Sequence, residues 1–145
     1  MGDALPTGLD DNNKGEEFSS SSTNSSLDDW IYESGEYVTI TLLNQPFLDS
    51  TAMLAPQSRP DDGKLFLLII RGGTTKKNLL KLMLEMEKGR HVTIPGVELI
   101  PVRAFRLIPD ENNPGKGIMA VDGERVPAGP VQAHIMPAAA RLFVK

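Results

Sequence analysis

The residues in this sequence whose types could do chemistry fall in three places. Residues 71–76 read Arg71-Gly72-Gly73-Thr74-Thr75-Lys76, a glycine pair followed by two hydroxyls and an amine. The run has the look of a phosphate loop, but it does not meet the GxxxxGK[ST] spacing that wraps backbone N–H groups around a phosphate chain. It reads better as a strand-to-helix turn, with Thr74 or Thr75 capping the helix that follows. An anion at that helix start would be held without specificity. The two histidines, His91 and His134, show no metal-ligand spacing, and no Ser or Cys adjoins either one. Asp122 and Glu124 flank Gly123. Asp-Gly between strand-like residues is first of all a two-residue hairpin turn, and it becomes functional only where it faces a ligand. There is no cysteine, so disulfides, thiolate metal sites and a Cys nucleophile are excluded together. Phosphoryl transfer needs a phosphate cradle, a metal site and a positioned base, and no motif in the chain supplies that set.

The elements that must carry these residues are mostly strands. Residues 37–43 (YVTITLL) are β-branched and aromatic, the mark of a strand. Residues 65–70 (LFLLII) are apolar on both faces, which predicts a central strand covered on both sides. Pro60-Asp61-Asp62-Gly63 makes the turn before it. Further strands are expected over 97–100, 104–108, 117–121, 131–135 and 141–144, with a loop over 109–115. One helix is expected between the Thr74/Thr75 cap and Gly89. Leu79, Leu82, Met83 and Met86 follow the i, i+3, i+4, i+7 spacing and are expected to share one apolar face. Leu80 and Leu84 lie about 100° or more around the wheel from it. Such a helix is apolar over more of its surface than one sheet can cover. Either a second neighbour packs on it or one side lines a pocket. The fold class that follows is mostly β: an antiparallel β-sandwich with one long amphipathic helix.

Residues 1–29 are rich in Ser, Asn, Asp and Gly and are expected to form a disordered low-complexity tail, leaving 30–145 as the domain. The 145 residues are 40% hydrophobic, enough for one modest core. The formal net charge of -4 and the absence of a basic stripe argue against nucleic acid as a partner. The N-terminal ten residues have neither a basic nor an apolar segment, so no secretory signal is expected there. No stretch approaches the roughly 20 apolar residues that span a bilayer, so membrane contact is expected to be peripheral.

Three stretches, in this order and spacing, closely resemble the C-terminal domain of eukaryotic sphingosine kinases. They are 79–91 (LLKLMLEMEKGRH), 102–107 (VRAFRL) and 117–124 (GIMAVDGE). The segment from Ala55-Pro56 through Asp62-Gly63 to Arg71 fits more diffusely. The resemblance covers about residues 30–145, and the MEKGRH run and the VDGE turn are its specific parts. The apolar strands alone do not separate it from the wider diacylglycerol kinase superfamily. Residues 136–140 (MPAAA) depart from the pattern by replacing a more aromatic tail.

The resemblance implies an enzyme of sphingolipid metabolism that transfers the γ-phosphate of ATP, with Mg²⁺, to sphingosine, giving sphingosine 1-phosphate. It implies an N-terminal nucleotide domain that these residues do not contain, and hence a truncated isoform, a partial gene model or a fragment, inactive alone. Carried over by position, Asp122, Gly123 and Glu124 match a turn that reaches toward ATP. Leu68, Ile70, Leu79, Leu82, Met83, Met86, His91 and Met53 match the surroundings of an acyl-chain pocket. No catalytic or metal-ligating residue is implied for this lobe. The family further implies a cytoplasmic protein in peripheral contact with membranes, sphingoid bases as partners, and a homodimer in the complete enzyme. A lobe of a ceramide or diacylglycerol kinase, or a non-catalytic lipid-binding regulatory module, are the alternatives.

Overall fold

Strand β1, Tyr37–Leu43, pairs antiparallel with β2, Leu65–Arg71, which pairs antiparallel with β3, Val97–Val102. The computed structural model describes residues 30–110, 112 and 117–141. The expected tail over 1–29 lies outside these residues. All elements belong to the unit Ser34–Lys145.

Alternation along β2 decides the layering. Phe66, Leu68 and Ile70 point to one face and join Leu43, Leu54, Ala55, Leu82, Ile94 and Val97 in the core. Leu65, Leu67 and Ile69 point to the other face and are buried as well. The continuous apolar run is therefore a central strand buried on both sides, as its composition predicts. The register places Leu43 opposite Phe66 and Val97 opposite Ile70, so β1 and β3 contribute to the same core. On the opposite face Arg71 makes two bonds to the Glu98 carboxylate, at 2.5 and 3.0 Å, and its guanidinium lies 6.0 Å from the centre of the Tyr37 ring.

Arg71 to Thr75 is the strand-to-helix turn expected from its composition. Thr74 Oγ1 donates to the Arg71 carbonyl at 2.7 Å, and Thr75 is the cap, accepting from the Asn78 N–H at 3.2 Å. Helix α1, Lys76–Glu85, is ten residues long rather than extending to Gly89. A 3-10 turn over Met86–Lys88 continues it, and Gly89 ends that turn in the left-handed region at φ 63°. A second 3-10 turn, Arg90–Thr93, follows and leads into β3.

The remaining elements are two ribbons. Strand β4, Ala104–Leu107, pairs with β7, Val131–His134, and β5, Met119–Val121, pairs with β6, Glu124–Val126. Asp122 and Gly123 have φ of 50° and 86°, positive at both turn positions as a two-residue hairpin requires. The expected strand over 117–121 begins only at Met119, and that over 141–144 falls almost wholly outside the described residues. Near the end of the described chain, Pro137 lies 3.7 Å from where a side chain at Gly63 would sit, so 136–140 returns beside the turn that precedes β2. The architecture is mostly β, antiparallel and sandwich-like, with one helix.

Candidate lipid and nucleotide sites

The long connection from β1 to β2 is shaped by local bonds. The Asp49 carboxylate accepts from the Thr51 and Ala52 N–H groups, both at 2.7 Å, and these bonds hold its pKa below the usual range. Met53 bridges back to Phe47, and Ala55 donates its N–H to the Pro46 carbonyl at 3.0 Å. The resulting loop drives Leu54 and Ala55 into the core and sets Met53 and Pro56 against Gly89. A side chain at Gly89 would meet Met53 Sδ and Pro56 Cβ, each at 3.0 Å. Glycine is needed there twice over, for its positive φ and for this close approach.

His91 follows directly and has no solvent exposure. Its Nε2 lies 3.0 Å from the Leu54 carbonyl oxygen, which only accepts, so Nε2 carries the proton and donates. Nδ1 is then a bare acceptor, buried without a partner among the described residues. Burial lowers the imidazole pKa, and the bond to the Leu54 carbonyl opposes that only in part. A neutral ring results. Ser58 Oγ is the other buried polar atom without a partner among the described residues. Because both atoms are unpaired, Ser58 and His91 are not bonded to each other and form no Ser–His catalytic pair. Each is a buried polar atom that a water or a polar ligand atom could satisfy.

The structure sorts the acyl-pocket candidates into three groups. Leu68, Ile70 and Leu82 lie in the closed core, at 1%, 5% and 3% exposure. Leu79 and Met86 are half-buried at its margin, Met53 lies against Gly89, and His91 bonds the Leu54 carbonyl. Met83 stands apart. It shares the apolar spacing of Leu79, Leu82 and Met86, yet it is 68% exposed. The three-stranded sheet covers the arc of Leu79, Leu82 and Met86, and Met83 lies about 100° from Leu82, past its edge. It joins Leu80 and Leu84, the other two exposed apolar residues of the helix. Sequence reasoning passed over Ser58 and the Pro46–Ala55 loop. The signals for them were Asp49 followed by Ser and Thr, a turn-forming set, and Pro46 and Pro56 at the two ends.

At the nucleotide candidate, Asp122, Gly123 and Glu124 are exposed at the tip of the β5–β6 hairpin. A shallow open hollow of about 310 Å³ lies at the base of that hairpin, lined by Gly117, Met119, Arg125, Val126, Pro127 and Ala128. None of the acyl-pocket candidates lines it. Among the described residues no group of three or more His, Asp or Glu is placed to hold a metal ion, so no step is routed through magnesium on these side chains. His134 is an exposed strand residue opposite Ala104.

Residues 16–144 match the family model for the YegS C-terminal NAD kinase beta sandwich-like domain. The chain belongs to that family. Within it the chain is similar to "Sphingosine kinase 2" of Homo sapiens, 36% identical over 111 residues, and to human "Sphingosine kinase 1", 38% identical over 104 residues. These alignments cover 75% and 70% of the chain, and 16% and 26% of the relatives. A yeast relative, "Sphingoid long chain base kinase 5" of Saccharomyces cerevisiae, is 32% identical over 92 residues, 63% of the chain and 13% of that protein. The chain thus spans about a quarter or less of the length of these curated relatives. The family match begins within the segment read from composition as tail.

Proposed function

We propose that this YegS C-terminal domain is the lipid-binding lobe of a sphingoid-base kinase. The observation that carries the reading is the junction at Gly89. The most specific part of the resemblance, MEKGRH, folds so that Gly89 abuts Met53 and His91 bonds Leu54, at the margin of a core already lined by Leu, Ile and Met. A sphingoid tail makes the same demand. Burying about ten methylenes yields on the order of 8 kcal/mol, at about 0.8 kcal/mol per CH₂, in a site lined by aliphatic and adaptable thioether side chains. The unpaired His91 Nδ1 and Ser58 Oγ supply polar contacts beside that apolar margin.

On this reading Met53, Leu79, Met86 and His91 border the tail, Met83 stands at the mouth, and Leu68, Ile70 and Leu82 form the wall behind. Asp122, Gly123 and Glu124 reach toward Mg–ATP from the hairpin tip. The phosphate cradle and the base come from outside these 145 residues, which alone transfer no phosphate. The complete enzyme works in the cytoplasm in peripheral contact with membranes, and forms a homodimer.

The test is a lipid panel assayed with the full-length gene product, alongside the 145-residue chain. ATP-dependent phosphorylation of sphingosine by the full product, lowered by Met53→Asp and by Asp122→Ala, is the expected result. Preference for ceramide or diacylglycerol would overturn the substrate assignment. Turnover by the contaminant-free 145-residue chain would overturn its division of labour. Sphingosine binding with no turnover by any longer product would assign a regulatory module instead.

A further inference from the structure

We propose that Asp122 is a modification site, where the peptide link to Gly123 converts to an isoaspartyl link. The chain holds two Asp-Gly pairs, Asp62-Gly63 and Asp122-Gly123. In each the glycine has no Cβ to shield its nitrogen from the preceding carboxyl group. The fold treats the two pairs differently. At Asp62 both carboxylate oxygens are occupied: Oδ2 accepts from the Arg59 N–H at 2.9 Å and Oδ1 from the Lys64 N–H at 2.8 Å. That turn is partly buried, and Pro137 stands beside Gly63. At Asp122 the carboxylate has no hydrogen bond or ion pair among the described residues, and both turn residues are exposed. Nothing lies within 4 Å of where a side chain at Gly123 would sit. The hairpin is held by the pairs Met119–Val126, Ala120–Arg125 and Val121–Glu124, and none of these residues is buried. Such a ribbon frays while the core stays closed. Asp122 is also a non-glycine residue in the left-handed region, at φ 50°, which favours leaving the closed turn. Fraying lets its carboxyl carbon swing onto the Gly123 nitrogen, a movement that the bonds at Asp62 oppose.

The conversion needs no co-reactant but water. The Gly123 amide nitrogen attacks Asp122 Cγ, and a bond forms between them. A carboxyl oxygen leaves as water, taking the amide hydrogen and the carboxyl hydrogen. Water then opens the cyclic imide. Attack at Cγ restores aspartate. Attack at the main-chain carbonyl carbon breaks its bond to nitrogen, which leaves the chain linked through Cγ and a free α-carboxylate. Nothing is oxidised or reduced. The main chain is now longer by a methylene, and a two-residue hairpin loop has no room for it without a change of turn. The link is reversed by a carboxyl methyltransferase that uses S-adenosylmethionine, because the methyl ester of the α-carboxylate closes back to the imide and releases methanol. Conversion itself is independent of function. Its consequence, loss of the turn that reaches toward Mg–ATP, rests on the nucleotide role proposed above.

The experiment ages the 145-residue chain in neutral buffer at physiological temperature and digests it with trypsin. Fragments 117–125 and 15–64 carry Asp122 and Asp62. Electron-transfer fragmentation then reads the isoaspartyl fraction at each residue. Conversion should be several-fold greater at Asp122 than at Asp62 in the folded chain, and nearly equal at the two in urea. Gly123→Ala should slow it several-fold, by shielding the nitrogen. Asp122→Asn should hasten it, because a neutral amide is a better target at neutral pH than a carboxylate. In the full-length gene product, ATP-dependent turnover should fall in step with conversion and recover in part when an isoaspartyl methyltransferase and S-adenosylmethionine are added. Conversion with no loss of turnover supports the modification and overturns the nucleotide role of the turn instead. No conversion at Asp122, or equal conversion at Asp122 and Asp62 in the folded chain, overturns the proposal.

Discussion

The two halves of the domain are both built from antiparallel strands and are buried very differently. Among the described residues every buried position lies between Leu43 and Val97, in β1, β2, the start of β3, and the helix and loops packed on them. From Glu98 onward no described residue is buried. The first half closes its own core, because β2 is apolar on both faces and has a neighbour on each edge. The second half is two ribbons of two strands, and such ribbons are marginal unless something covers a face. Self-sufficient folding is thus concentrated in one half. The exposed hairpin, with Asp122 at its tip, belongs to the other.

That contrast is broken most directly in the core. Leu68→Ala removes the most deeply buried leucine of β2 and should cost about 3–5 kcal/mol, read as a lower urea midpoint by circular dichroism. Val131→Ala, in the partly buried ribbon strand β7, should cost about 1 kcal/mol or less. Equal losses from the two substitutions would mean that the ribbons carry as much of the stability as the central sheet. Next in size is Gly89→Ala. An alanine there must adopt φ near 63° and press on Met53 and on the stiff Pro56 ring, which should together cost about 2–3 kcal/mol.

His91 sharpens the comparison through pH. Its folded-state pKa is lowered, chiefly by burial, so below the unfolded value of about 6.5 the unfolded chain binds a proton that the folded chain refuses. Stability should therefore fall as pH drops from 7 toward 5, and recover on return. His91→Gln keeps a donor for the Leu54 carbonyl and does not titrate, so its melting temperature should fall less over the same interval. A profile unchanged by His91→Gln would show that other groups set the acid sensitivity.

What the sequence made legible follows from how local each signal is. The 37–43 strand, the doubly apolar β2, the Thr75 cap and the Asp122-Gly123 hairpin depend on neighbours within a few residues, and they are found where composition and spacing put them. The helix end was legible as Gly89 but not its last turn, because a change from α to 3-10 at Met86 does not alter the side-chain pattern. The exposure of Met83 was not legible for a different reason. Spacing groups it with Leu79, Leu82 and Met86, and only the width of the sheet decides which of the four is covered. The site around His91 was partly legible through the MEKGRH resemblance. Its partner, the Leu54 carbonyl, is 37 residues away and is brought there by a loop held by Asp49, so no periodicity could announce it.

The smallest effect comes from a glycine matched to Gly89. Gly123 also has a positive φ, at 86°, yet a side chain there would meet nothing within 4 Å. Gly123→Ala therefore costs backbone strain alone, about 1 kcal/mol, where Gly89→Ala costs strain and a clash. The location of the loss should differ too. The hairpin lies in the half with no buried residue among those described, so its fraying need not unfold the core. Amide exchange should quicken in β5 and β6 while Leu68 and its neighbours in β2 keep their protection, and the urea midpoint should scarcely move. If Gly123→Ala lowered the midpoint as much as Gly89→Ala does, the hairpin would be coupled to the central sheet. The division between a closed core and an exposed pair of ribbons would then be one of burial only, not of stability.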